Sequence, residues 1–158
     1  MSAIAAPNER ERLETLHRYD ILDTPPAPEF DDLARLAADV CATPMALVSF
    51  VAADRQWFKA RIGLAVEGTA RDVSFCAHAI QQPNVFVVPD TLRDDRFAGN
   101  PLVVGPPHAR FYAGAPLTTP DGYALGTICV IDAVPRELSI AQEASLRALA
   151  RHVVAQLE

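Results

Sequence analysis

Two residues at close spacing carry side chains able to act as nucleophile, soft ligand or proton carrier. They are Cys76 and His78, in the segment Ser74-Phe75-Cys76-Ala77-His78-Ala79-Ile80. Serine is a helix-capping residue type, so Ser74 is expected to open a helix that runs over 74–82 and stops at Pro83-Asn84. Cys76 then lies in the first turn, where backbone N–H groups and the helix dipole favour a thiolate. That chemistry makes it a candidate nucleophile, redox sensor or ligand contact; the plainer reading is a small buried hydrophobe. Two residues correspond to about 200° of helical rotation. His78 therefore faces elsewhere, and the pair does not suit one metal ion. His78 is a candidate either for a ligand contact or for a hydrogen-bonded lock to a carboxylate or carbonyl.

Further polar candidates cluster downstream. Asp90, Arg93, Asp94, Asp95, Arg96 and Phe97 fall in one short charged stretch before Asn100-Pro101. Asp90, Arg96 and Phe97 are the ones suited to fixing a polar ligand; Arg93 and Asp94 read as a solvated, self-paired face. His108 and Arg110 flank a loop and would suit an anion, or would form a strand-edge pair with nearby carboxylates. Tyr112, Phe111 and Trp57 are aromatics on predicted strands, able to line a pocket or to be plain core. Thr127 and Cys129, on an interior strand, complete the candidate ligand-binding set. His17 and His152 lie on terminal helices and look peripheral. No Ser-His-Asp or paired-carboxylate arrangement stands out, so no catalytic residue is assigned and a non-catalytic domain is expected.

The elements that must hold these residues emerge from periodicity. Asn8 with Glu11 fits a capping box for a first helix carrying Leu13 and Leu16, stopped by Thr24-Pro25-Pro26. Phe30, Leu33, Ala34, Ala37 and Val40 recur at helical spacing in a second helix that Pro28 opens and Pro44 breaks. Residues 45–51 are an apolar run, hence a buried strand. Residues 56–62 alternate, with Phe58, Ala60 and Ile62 on one face and Trp57, Lys59 and Arg61 on the other, hence a half-exposed paired strand. A short strand over 85–88, a helical turn over 90–97 and a Pro/Gly-rich loop over 100–108 come next. Two further strands are joined by Thr119-Pro120-Asp121-Gly122. Ser139 with Gln142 caps a last helix striped by Leu146, Leu149, Val153 and Leu157. Hairpins at both ends of the strand set indicate an antiparallel sheet with helices packed on it, an α+β fold.

Bulk properties narrow the function classes. The chain has 158 residues, 50% of them hydrophobic and 22% charged, which suits one domain with a real core. A net charge of −6 and a single lysine, Lys59, argue against nucleic acid as a partner. The three cysteines, Cys41, Cys76 and Cys129, include no CxxC pair and read as neither a disulfide framework nor a zinc site. No signal peptide or apolar span is visible, so no membrane is expected and the location is expected to be cytoplasmic. The last helix has no glycine stop, and its pattern still runs at Glu158. An apolar seam of that kind is expected to meet a partner helix or to continue into a downstream domain.

Five segments, in order, resemble one family. They are Leu16-His17-Arg18-Tyr19-Asp20-Ile21-Leu22-Asp23-Thr24-Pro25-Pro26 with Asn8-Glu9 before it; Asp54-Arg55-Gln56-Trp57-Phe58-Lys59-Ala60; Arg71-Asp72-Val73-Ser74-Phe75-Cys76-Ala77-His78-Ala79-Ile80; Phe111-Tyr112-Ala113-Gly114-Ala115-Pro116-Leu117; and Leu125-Gly126-Thr127-Ile128-Cys129-Val130-Ile131-Asp132. Together they resemble a bacterial subgroup of GAF domains, over nearly the whole chain. The resemblance implies one domain over 1–158, with an opening helix and segment in 1–25 and a signalling or dimer helix in 139–158. It implies a central antiparallel sheet of five or six strands, terminal helices on one face and a loop-covered ligand pocket on the other.

Such domains commonly precede histidine kinase or diguanylate cyclase output domains in bacterial signal transduction, including two-component systems. The resemblance thus implies a small-molecule sensor, homodimeric through its terminal helices, with a ligand it does not name. Bilin-binding members follow the cysteine directly with histidine, whereas here Ala77 intervenes, so no bilin is expected. Members that reduce methionine sulfoxide use several cysteines near the pocket; here Cys41 should face away and Cys129 is in an interior strand, leaving Cys76 without a resolving thiol. The cyclic-nucleotide signature is not found. Two alternatives to the sensor stand beside it: a dimerising module whose pocket is filled by Phe75, Phe111 and Tyr112, and a redox sensor or reductase using Cys76.

Overall fold

The computed structural model describes residues 8–158; residues 1–7, the start of the expected opening segment, lie outside the described residues. Six strands form one open sheet: β1 (Met45–Val51), β2 (Arg55–Ile62), β3 (Gly68–Ala70), β4 (Phe86–Val88), β5 (Phe111–Thr118) and β6 (Ala124–Asp132). Their spatial order is β3-β2-β1-β6-β5-β4, with every pair antiparallel. The apolar run of β1 is central and buried along its whole length, as a strand covered on both faces must be. Helices α1 (Glu9–Tyr19), α2 (Pro28–Cys41) and α5 (Ile140–Leu157) cover one face. The short helices α3 (Cys76–Ala79) and α4 (Pro101–Val104), with their loops, cover the other. This is the expected α+β architecture, with the sheet at six strands.

The alternation read in β2 is broken at one residue. Val48 pairs with Ala60 and Ser49 with Phe58, so Lys59 is the extra residue of a β-bulge. A bulge reverses the sidedness of the residues beyond it. Ala60 and Ile62 therefore join Trp57 in the helix-side core, while Phe58 faces the other way. Lys59 is itself buried, its ammonium donating to Thr24 Oγ1 at 2.8 Å and to the Pro25 carbonyl, above the Phe30 ring.

Other local expectations change as well. Ser139 and Gln142 do form a capping box, but Asn8 adopts a left-handed φ of 57° and makes no side-chain cap bond. Helix α2 buries Ala38 and Cys41 and leaves Val40 exposed, because its contact stripe is rotated toward α5. The helix expected over 74–82 is a single turn. The stripe Leu146, Leu149 and Val153, expected to meet a partner helix, is buried within the chain: Leu146 and Val153 have no exposed surface. Burying such side chains against the chain's own sheet is worth about 1.5–3 kcal/mol each, so that seam is already used. Strand β3 and helix α4 were not anticipated; each is too short for a periodic signal.

Glu9 shows why α1 is held where it is. Its carboxylate accepts two bonds from Arg12, both 3.0 Å, and two from Arg71, at 2.6 and 3.3 Å. Arg12 and Arg71 are 1% and 3% exposed. Arg71 also donates to the Ala52 carbonyl at 2.9 Å, and Arg12 reaches the Ala124 carbonyl at 3.3 Å. Burial alone would raise the Glu9 carboxyl; the two guanidiniums outweigh it and hold its pKa at about 2. The folded pKa lies below the ordinary 4.5, so this stabilisation is present above the ordinary value and fades as pH falls toward 2. Glu9→Gln leaves two buried guanidiniums short of charge compensation and should cost about 2–4 kcal/mol at pH 7. In urea denaturation, the gap between the variant and the natural protein should narrow as pH drops from 5 toward 2.

Candidate functional site

The pocket face is built around one turn of helix. Ser74 stays extended, and its Oγ accepts from the Ala77 N–H at 3.1 Å, the expected cap bond. Gln56 fixes that serine: its Oε1 accepts from Ser74 Oγ at 2.8 Å and from Ser49 Oγ at 3.2 Å, and its Nε2 donates to Thr69 Oγ1 at 2.7 Å. The helix ends at once: the Ile80 N–H still donates to the Cys76 carbonyl at 3.0 Å, and Gln81 closes only a tighter turn onto the His78 carbonyl at 3.2 Å. Asn100 ties the cover down, donating to the Val73 carbonyl at 3.1 Å while capping α4 through Leu102 N–H at 2.8 Å.

Cys76 points from this turn into the sheet. Its sulfur lies 3.1 Å from Thr127 Oγ1 and 3.2 Å from Tyr112 Oη, all fully buried. Cys129, two residues along β6 from Thr127, lies on the same face in the same buried cluster, and with Ser49 it adds to the polar groups that favour the Cys76 thiolate. Burial opposes a thiolate at Cys76, but these donors outweigh it and bring the thiol below its ordinary range. Cys129 moves the opposite way, pushed up by burial and by the neighbouring sulfur. Tyr112 is raised by burial and by the two thiols, so it remains a protonated donor. Cys41 belongs to the helix-side core, where burial lifts it to about 11.

A cavity of about 30 Å³ lies against this cluster. Gln56, Thr69, Cys76 and Tyr112 are its polar wall; Leu47, Phe58, Phe75 and Ile131 line it from the core; Leu64, Val66, Leu102 and Pro107 cover it. No charged side chain lines it. The volume is that of a water or two.

The candidates therefore separate. Phe75, Cys76 and Tyr112 line the cavity, with Thr127 and Cys129 directly behind them. His78 and Phe97 lie on the far side of α3, His78 edge-on to Phe97 at 4.8 Å and parallel to Phe86 at 6.5 Å. Burial and the nearby Arg96 lower the His78 pKa. Arg96 is taken up by Asp94, at 2.6 Å, and by the faces of Phe86 and Phe97. Asp90 caps the turn Thr91–Arg93 and pairs with Arg110 at 3.1 Å, the strand-edge pair rather than an anion site. His108 is exposed at a φ of 59°. Phe111 and Trp57 belong to the helix-side core, since alternation along β5 and the bulge in β2 turn them away. Gln56, Ser49 and Thr69 were missed. Only Ser49 carried a signal, as the one polar residue in the apolar run of β1. No group of three or more His, Cys, Asp or Glu able to hold a metal forms among the described residues.

A GAF family model matches residues 26–157. The chain belongs to the GAF domain family. Over 151 residues it is 42% identical to a cyclic di-GMP phosphodiesterase of Pseudomonas aeruginosa, a match that covers 95% of the chain and 26% of that relative. The chain thus spans about a quarter of that relative's length. The fold is shared with the GAF domain of an Acinetobacter phosphoenolpyruvate-protein phosphotransferase, at a TM-score of 0.67 and 16% identity, covering 93% of this chain and 92% of that one. It is shared also with the blue-light-absorbing form of the PixJ GAF domain of Thermosynechococcus elongatus, at 0.66 and 14% identity, covering 96% and 90%. This GAF domain is of the kind found in bacterial signalling proteins. No helix among its described residues is long and apolar enough to cross a membrane.

Gly114 is what allows Tyr112 to reach Cys76. The tyrosine ring lies along β5 over the glycine, and a Cβ there would stand 2.3 Å from Tyr112 Oη and 2.8 Å from Cζ. Gly114→Ala should push the ring off the sulfur and destabilise the domain by about 1–3 kcal/mol. Gly99→Ala, where an added Cβ meets nothing within 4 Å, should stay within about 0.5 kcal/mol. Urea denaturation of the two variants side by side checks both values.

Proposed function

We propose that this GAF domain is a non-catalytic regulatory module whose pocket takes a small, uncharged and mainly apolar molecule. The observation that carries this reading is the cavity wall: apolar residues, the polar groups of Gln56, Thr69, Cys76 and Tyr112, and no Asp, Glu, Lys, Arg or His. An ionic ligand would lose its hydration there with no counter-charge to compensate. Arg96, His108 and Arg110, the groups suited to an anion, are occupied or exposed elsewhere, and Asp90 is itself the partner of Arg110. Gln56, Thr69, Cys76 and Tyr112 supply the few polar contacts that orient a ligand in an apolar pocket.

The path outward is short. Ser74 opens the pocket helix, and three residues earlier Arg71 is ion-paired with Glu9 of α1. A ligand that favours one position of α3 would act on α1 through that segment, by as much as its affinities for the two positions differ. By similarity to the phosphodiesterase and to the family subgroup, we take the output to be a cyclic di-GMP-metabolising enzyme or a histidine kinase, in the cytoplasm. Since α5 spends its seam on its own sheet, a homodimer would use the outer faces of α2 and α5, where Leu36, Val40 and Ile140 are exposed.

The second reading, a dimerising module with a closed pocket, is favoured by the size of the cavity. Phe75 stacks on Tyr112 at 5.2 Å and meets Phe97 at 4.6 Å, filling most of the space. Thermal-shift measurements separate the two. Under the first reading at least one of a panel of neutral compounds, such as indole, benzene and short-chain alcohols, raises Tm by about 5–10 °C at a hundredfold excess over Kd. Cyclic nucleotides, cyclic di-GMP and amino acids leave it unchanged. A shift from any of these charged compounds overturns the neutral-ligand reading; silence across the whole panel establishes the closed module.

A further inference from the structure

The buried sulfur pair is a site in its own right and does not depend on a ligand. Sequence spacing left Cys76 without a second thiol, since Cys129 sits 53 positions away in an interior strand. The fold places Cys129 beside Cys76 on the pocket face of β6: it pairs with Gly114, over which lies the Tyr112 hydroxyl that touches Cys76 Sγ, and both cysteines belong to one buried cluster. Around them stand Thr127 and Tyr112 hydroxyls at 3.1 and 3.2 Å from Cys76 Sγ. Cys76 also forms part of the cavity wall, whose volume of about 30 Å³ matches a molecule of two oxygen atoms.

We propose that Cys76 and Cys129 form a peroxide-reactive dithiol, in which Cys76 is the attacking sulfur and Cys129 the resolving one, closing to a disulfide between α3 and β6. The Cys76 thiolate attacks one oxygen of hydrogen peroxide. The O–O bond breaks, and the departing hydroxide takes up the proton that Cys76 had released, leaving as water. Cys76 is now a sulfenic acid. The Cys129 sulfur attacks the sulfenic sulfur, the S–O bond breaks, and hydroxide leaves with the Cys129 proton as a second water. Two thiols are oxidised and one peroxide is reduced: two thiols and one hydrogen peroxide become one disulfide and two waters. The hydroxyls of Thr127 and Tyr112 give the thiolate its hydrogen bonds, and the apolar cover of Leu64, Val66, Leu102 and Pro107 admits only the smallest hydroperoxide. Cys41, in the other core, stays out of the reaction.

The test is thiol counting and peptide mapping of the natural protein. Before treatment three thiols titrate in denaturant, one for each cysteine of the sequence. After stoichiometric hydrogen peroxide one should remain, Cys41, and mass spectrometry of a non-reduced digest should show the Cys76 peptide linked to the Cys129 peptide. Cys129→Ser should stop at the sulfenic acid, trapped by dimedone on Cys76 at least tenfold over Cys41. Three thiols surviving peroxide, oxidation confined to Cys41, or Cys76 passing to sulfinic acid with no linked peptide overturns the proposal. Because the mapping uses the natural chain, it stands even if the serine variant folds poorly. It also leaves the ligand reading untouched, since no small-molecule binding is measured.

Discussion

One buried amide joins four elements of the pocket face. Gln56, on β2, is 4% exposed and meets Ser49 of β1, Thr69 of β3 and Ser74 ahead of α3. A buried amide without partners costs several kcal/mol, so each of those residues is constrained by the others. If Ser74 moves, Gln56 loses an acceptor bond and the Ala77 N–H loses its cap. The position of Cys76, two residues beyond Ser74, is therefore set by β2 and not by the single helical turn that carries it. A helix of four residues has little cohesion of its own, and this one is a side-chain-anchored turn.

The sheet divides the chain's polar and apolar chemistry between its faces. Toward α1, α2 and α5 the packing is alanine, leucine, valine and aromatic side chains. Toward α3 and α4 the same strands place Ser49, Gln56, Tyr112, Thr127, Cys76 and Cys129 together. Buried polar groups are tolerated only when mutually satisfied, and a satisfied network fixes one arrangement of its members. Apolar residues of similar volume would have packed the same space without that requirement. The polar face is thus the less economical solution for stability alone, which is why it is the place to look for chemistry.

The architecture was legible where patterns run long. The β1 apolar run, the Pro-Asp-Gly hairpin, the Ser139 capping box and the whole-chain order of motifs all led to an antiparallel sheet of five or six strands. What was not legible is local and depends on contacts from far along the chain. The extra residue at Lys59 arises from the register with β1, and it alone moved Ala60 and Ile62 across the sheet. The α5 stripe was visible as a stripe, but whether its partner is another chain or the chain's own sheet depends on packing that periodicity does not encode. At the site, helical geometry correctly parted Cys76 from His78. The meeting of Cys76 with Cys129 depends on β6 lying under α3. The charged candidates stand outside the cavity lining for a simpler reason: Asp90, Arg96 and Arg110 find ion-pair partners within reach.

A tightly closed pocket and a sensory role are energetically compatible. Phe75 has two ring contacts, to Tyr112 and to Phe97, each worth about 0.5–1.5 kcal/mol. Swinging it aside therefore costs about 1–3 kcal/mol, before any loss of buried area. Since 1.4 kcal/mol is a factor of ten, an open form would be populated at no more than roughly one part in six to one part in a hundred and forty. A ligand that needs the open form binds more weakly by that same factor. The penalty is modest, and it is also what makes such a pocket informative: a ligand that fills the closed cavity unchanged would alter nothing around α3. Only one that displaces Phe75, and with it the turn held between Gln56 and Arg71, changes the forces on α1.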